Sequence, residues 1–116
     1  MQTVSATSFI EFYQQKLIEG KLDGFVTVIL SSTADGMVSL DKIKSHHLGR
    51  GYAKCALATL LLLADEYEYA IRLIPHPLDE MTNKDRLVRW YEAYGFTHVG
   101  VDDMMVRPAK RRDINQ

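Results

Sequence analysis

Two groups of residues in this chain have types and spacings suited to chemistry. The first is His46-His47-Leu48-Gly49-Arg50-Gly51, directly before the long apolar helical pattern that contains the run ALATLLLLA at 56–64. The first N–H groups of a helix have no internal partner, and the macrodipole leaves partial positive charge at that end. Glycines at 49 and 51 remove side chains that would hold a bulky anion away, and Arg50 adds a full charge. Together they describe a phosphate cradle, against the alternative that the two glycines only form a turn. The second group is Tyr91 in WYEAYGF, residues 90–96. A tyrosine hydroxyl is a weak acid, and by its place on the helical stripe alone Tyr91 reads as a half-buried core aromatic.

Other candidates have plainer readings beside the chemical one. His46 and His47 either contact phosphate or are exposed loop residues. His76 with Asp79 and Glu80, after the second parallel strand, either includes a general base or a guide for water, or is part of a solvated loop. Cys55 reads as a small core residue on the central helix. Lys110-Arg111-Arg112 reads as a solvated tail, and Leu60 to Leu63 as core. A single cysteine cannot form an internal disulfide, and no Cys/His spacing suits zinc, so no metal is expected.

The elements that must position these groups follow from periodicity. SATSFIEFYQQKLIEGK places Phe9, Ile10, Tyr13, Leu17 and Ile18 at helical spacing, with Ser5, Thr7 or Ser8 as N-cap and Gly20 as a stop. A β-branched and aromatic stretch predicts a strand over about 24 to 31. ADG at 34–36 signals a hairpin, and the returning strand alternates Val38, Leu40 and, after a phase slip, Ile43. A helix follows over 50–67 and a strand over 69–75, ended by Pro75 and Pro77. Leu87, Val88, Tyr91 and Tyr94 form one stripe of a helix ending at Gly95. FTHVGV and MMVRP flank Asp102 and Asp103 as a closing hairpin. The middle of this order is a βαβ unit with a parallel crossover, and the segment 46–51 falls beyond a strand's carboxyl end, where ligands sit in open α/β sheets.

With 116 residues the chain fits one domain, residues 1–116, with 108–116 as a frayed tail. A 47% hydrophobic content suffices for a packed core, and a net charge of −1 gives no global field for nucleic acid or anionic lipid. The longest apolar run is far shorter than the ~20 residues of a membrane span. No basic-then-apolar leader opens the chain. A soluble cytoplasmic protein is expected, with no membrane partner and no strong nucleic-acid signal.

LGRGYAKCALATLLLLADEY resembles the coenzyme A loop of GNAT-type N-acetyltransferases, R/Q-x-x-G-x-G/A at the start of the central helix. The frame places Leu48, Gly49, Arg50, Gly51, Tyr52 and Ala53 on that loop, with Leu48 where Arg or Gln is usual; a second frame, from His46 to Gly51, also fits the glycines but would start the helix too early. WYEAYGF is similar to the family's Y-x-x-x-G-F element. The resemblance implies a compact α/β (α+β) GNAT-like fold: a mixed central sheet with a βαβ coenzyme A-binding core and a shortened N-terminal region. It implies that N–H groups around Gly49 to Ala53 bind the pyrophosphate of acetyl-coenzyme A. It also implies that the backbone near Ile43 and Lys44 pairs with the pantetheine arm, and that Tyr91 is the general acid. Asn83 stands one residue before the position of the family's pantetheine-contacting asparagine, which Lys84 holds, and is otherwise a helix N-cap. The function implied is direct transfer of an acetyl group to a primary amine on a small molecule or protein. The alternative is a catalytically silent binding module acting through a protein partner. A homodimer is expected, since a short sheet exposes an edge or an apolar face.

Overall fold

The computed structural model describes residues 4–47, 49–76, 83–100 and 102–110. The first helix, α1 (Ala6–Glu19), starts at Ser5, whose hydroxyl accepts the Ser8 N–H at 3.1 Å, and stops at Gly20. Its periodic positions Phe9, Tyr13 and Leu17 are buried. Strands β1 (Val26–Ser32) and β2 (Val38–Ser45) form the predicted antiparallel hairpin. The phase slip is real: Ile29 faces Lys42 while Leu30 faces Leu40, which leaves Asp41 as the extra residue of a bulge.

The central helix α2 (Tyr52–Glu66) leads into β3 (Ile71–Leu73), which pairs parallel with β2. β3 is shorter than the predicted strand over 69–75. Helix α3 (Lys84–Glu92) and strands β4 (Thr97–His98) and β5 (Met105–Arg107) complete the chain. The sheet order is β1-β2-β3-β5-β4, with only β2 and β3 parallel. Helices α1 and α2 share one core with the sheet. The Tyr13 hydroxyl, inside that core, donates to the Ala56 carbonyl at 2.8 Å and so ties α1 to the first half of α2. Burial pushes the Tyr13 hydroxyl's pKa up, so it remains a donor.

Two expectations for α2 need correction. Leu60, Leu61 and Leu63 are buried, but Leu62 is 73% exposed, and Cys55 is exposed rather than in the core. Both lie on the outer face of an amphipathic helix, where an apolar residue type alone does not set the side it faces. No helix among the described residues is long and apolar enough to cross a membrane.

The carboxyl end of α2 is held by an arginine that sequence reading did not single out. Arg107 on β5 is 5% exposed. Its guanidinium donates to both carboxylate oxygens of Asp65, at 2.8 and 3.0 Å, and its Nε donates to the Tyr94 carbonyl at 3.0 Å. The Lys110 N–H also donates to Asp65, at 2.8 Å, so the chain stays attached to α2 as far as Lys110. Residues 111–116 of the expected tail lie outside the described residues. Gly95 has φ +97, and a Cβ there would come within 3.6 Å of Arg107 Nε. The glycine that ends α3 thus serves both a left-handed turn and the approach of the arginine.

Candidate functional site

β2 and β3 are paired only over Val38–Leu40 and Ile71–Leu73. Beyond Leu40, β2 runs on to Ser45 with β1 on one side and no strand on the other among the described residues. The carboxyl ends of the parallel pair therefore open. Hydrogen-bond alternation shows which backbone groups line the opening. His46 N–H donates to Phe25 C=O, so His46, Lys44 and Lys42 direct their backbone groups at β1, while Ile43 and Ser45 direct theirs at the opening. Of the two residues expected to pair with a ligand through their backbone, Ile43 is the one whose N–H and C=O face it.

The loop beyond β2 is built on left-handed glycines. Gly49 has φ +76 and Gly51 φ +75, and a Cβ at either would meet nothing within 4 Å, so it is backbone conformation that requires glycine there. Gly51 is also the N-cap of α2 and offers no side-chain cap. The N–H groups of Tyr52, Ala53 and Lys54 meet no acceptor among the described residues. The first turn contains no acid; from Lys42 to Ala64 the chain has none at all, while Lys42, Lys44, Arg50 and Lys54 are basic. Uncapped N–H groups, the positive end of a 15-residue helix and local cations form a donor set for a phosphorylated anion. Leu48 lies outside the described residues.

The loop is held from its other side. Phe25 and Tyr52 stack with ring centroids 4.7 Å apart, and His47 lies 5.9 Å from Phe25 and 6.3 Å from Tyr52. The His46 ring is 2.8 Å from the Thr27 hydroxyl. These contacts give the two histidines neighbours on β1 and at the start of α2. The role of Phe25 was not read from the sequence, because its partner Tyr52 is distant along the chain.

Tyr91 is 5% exposed, its ring against Trp90 (5.1 Å) and Phe96 (5.5 Å). Burial pushes its pKa up to about 12, so the hydroxyl keeps its proton through the neutral range. It makes no hydrogen bond to another described residue, and no buried polar side-chain atom among them is left without a partner. Asn83 caps α3, its side chain accepting the Arg86 N–H at 2.8 Å. Lys84 pairs with Asp103 and, by hydrogen bond and charge, holds that carboxyl below its usual range, with His98 and His76 adding to the effect. His76 is exposed; Asp79 and Glu80 lie outside the described residues. A separate groove of 440 Å³ lies between Leu61, Leu62 and Asp65 of α2 and the Tyr94–Gly95 turn, away from the glycine loop.

A mixed sheet with one parallel pair that opens above a glycine-led helix start is a GNAT-like α+β fold. The solved structure of the anti-CRISPR protein AcrVA5 is similar to this chain, with TM-score 0.61 and 19% identity, over 72% of this chain and 90% of that one. No protein-family model and no curated protein matches the sequence.

Proposed function

We propose that this protein is an N-acetyltransferase that moves an acetyl group from acetyl-coenzyme A to a primary amine. The observation that carries the reading is the opening between β2 and β3 above the uncapped, acid-free start of α2, in a GNAT-like fold. The residues present fit the coenzyme by their donor chemistry. The N–H groups from Gly49 to Ala53, with Arg50, would hold the pyrophosphate, and the Ile43 backbone would run beside the pantetheine arm. Acetyl-coenzyme A supplies the activated acetyl thioester when bound.

The chain's own groups then have separate tasks. The Ile43 N–H faces the opening and serves as a donor to negative charge developing on a carbonyl oxygen. Tyr91 holds a proton at its hydroxyl for the departing sulfur. With that hydroxyl at about 12 and a thiol near ~8.5, full transfer costs roughly 5 kcal/mol unless neighbouring positive charge compensates. Tyr91 therefore acts first as a hydrogen-bond donor.

AcrVA5's designation as an anti-CRISPR protein supports a macromolecular acceptor in this reading. A second reading, a silent binding module acting through a protein partner, is favoured by the burial of Tyr91. The two are separated by incubating the protein with acetyl-coenzyme A and a panel of polyamines and lysine-containing proteins. Acetyl mass gained by an amine, together with free thiol, is the enzyme's result. Coenzyme binding without either product across the panel supports the silent module.

A further inference from the structure

β1 is one of the two edge strands of the sheet, and β2 alone pairs with it among the described residues. Its hydrogen-bonding direction is fixed at both ends: Phe25 C=O accepts from His46 at 2.9 Å, and Thr33 N–H donates to Met37 C=O at 3.0 Å. Alternate residues of a strand direct their backbone groups at the same neighbour. Thr27, Ile29 and Ser31 therefore face β2, and Val26, Val28, Leu30 and Ser32 turn their N–H and C=O to the open edge. Natural edges are commonly guarded by lysine, proline or a bulge. Val26–Ser32 reads VTVILSS, without charge or proline, and the bulge's extra residue lies on β2. The side chains of Val26, Val28 and Leu30 pack with the core, while Ile29 is 47% exposed.

We propose that β1 pairs antiparallel with β1 of a second copy about a two-fold axis at Ile29, joining the two sheets into one. Self-complementarity identifies the occupant. A two-fold axis at Ile29 sets Val28 against the partner's Leu30 and Val26 against the partner's Ser32, so every outward-facing residue meets another outward-facing residue. The two Ile29 residues then form a non-hydrogen-bonded pair, the kind in which facing side chains approach most closely. This buries the strand's most exposed large apolar side chain. No charge within the strand opposes its own copy, and the interface is isologous and closed. The pairing is independent of acetyl transfer.

Light scattering and hydrogen exchange on the full chain test it. At tens of micromolar the mass is expected to be twice 13.2 kDa, with the Val28 and Leu30 amides protected and that protection lost on dilution. Ile29→Lys, at an exposed position, places like charges across the axis and is expected to return the single-chain mass with an unchanged circular dichroism spectrum. Leu62→Lys, on the exposed face of α2, is expected to leave the dimer intact. A wild-type monomer at 100 µM (about 1.3 mg/ml), concentration-independent exchange at Val28 and Leu30, or a dimer broken by Leu62→Lys but not by Ile29→Lys overturns the proposal.

Discussion

The two ends of α2 are treated in opposite ways. At its carboxyl end Asp65 takes two hydrogen bonds from Arg107 and one from the Lys110 N–H, and the same arginine satisfies the Tyr94 carbonyl. At its amino end the cap is a glycine, the first N–H groups are unmet among the described residues, and Lys54 places a cation against the positive end of the dipole. One end is finished by the protein itself. The other is left open, with uncapped donors and a nearby cation. Stability should therefore depend on the first end and ligand binding on the second.

The largest effect tests the closed end. Asp65→Ala leaves the Arg107 guanidinium buried without its carboxylate, and urea denaturation should show a loss of about 3 to 5 kcal/mol. Replacing both partners, Asp65→Leu with Arg107→Met, should cost much less; equal losses would mean that the pair is not the origin of the effect. The pair also sets a pH dependence. Burial alone would raise the Asp65 carboxyl, but hydrogen bonds from Arg107 and the Lys110 N–H, with the charges of both residues, hold it below 3.8. A carboxyl depressed in the folded state contributes stability above its unfolded value, and this is lost as pH falls through the folded value. Acid titration should thus show stability falling below about pH 4 in the wild type, and a flatter profile in Asp65→Asn.

Next in size is Tyr91→Phe. On the proposed mechanism, loss of the Tyr91 hydroxyl should lower turnover by at least about a hundredfold, while coenzyme affinity changes little. A variant that retains more than about half the wild-type rate would leave Tyr91 a core aromatic only. Gly51→Ala, at φ +75, should cost roughly 1–2 kcal/mol from backbone strain alone. The smallest effect is the most discriminating. Lys54→Glu should stabilise the free protein by about 0.3–1 kcal/mol, by placing an acid in the first turn of α2, and should weaken binding of acetyl-coenzyme A. If stability and affinity changed in the same direction, the contrast between the two ends would fail.

Much of this was legible in the sequence, for local reasons. Gly49 and Gly51, Ser5, Asn83 and the 3.6-residue stripes act within a few residues, so the element order and the hairpin could be read directly, with Ser5 one of three candidate caps for α1 and Asn83 a cap in one of its two readings. The slip between Leu40 and Ile43 even signalled the bulge. What could not be read depends on separation along the chain. Asp65 and Arg107 meet only because β5 inserts beside β3, and nothing near either residue announces the other. A lone arginine in the apolar stretch MMVR was the one available sign, since burial would force it to find a carboxylate. Leu62 and Cys55 failed for the converse reason, their residue types suggesting burial on a helix face that the fold leaves outside. Tyr91 is intermediate: its position on the stripe was clear, its depth was not.

The central claim is that the amino end of α2 is built for the phosphates of an acyl carrier, and thermal denaturation with acetyl-coenzyme A tests it most directly. A ligand that binds only the native state stabilises it by about 2.7 kcal/mol at a hundred times its dissociation constant. The melting temperature of the wild type should therefore rise by several degrees at saturation, and Arg50→Glu, which leaves the glycines in place, should lose most of that rise. A wild-type melting temperature unmoved by acetyl-coenzyme A up to millimolar concentration would contradict the account.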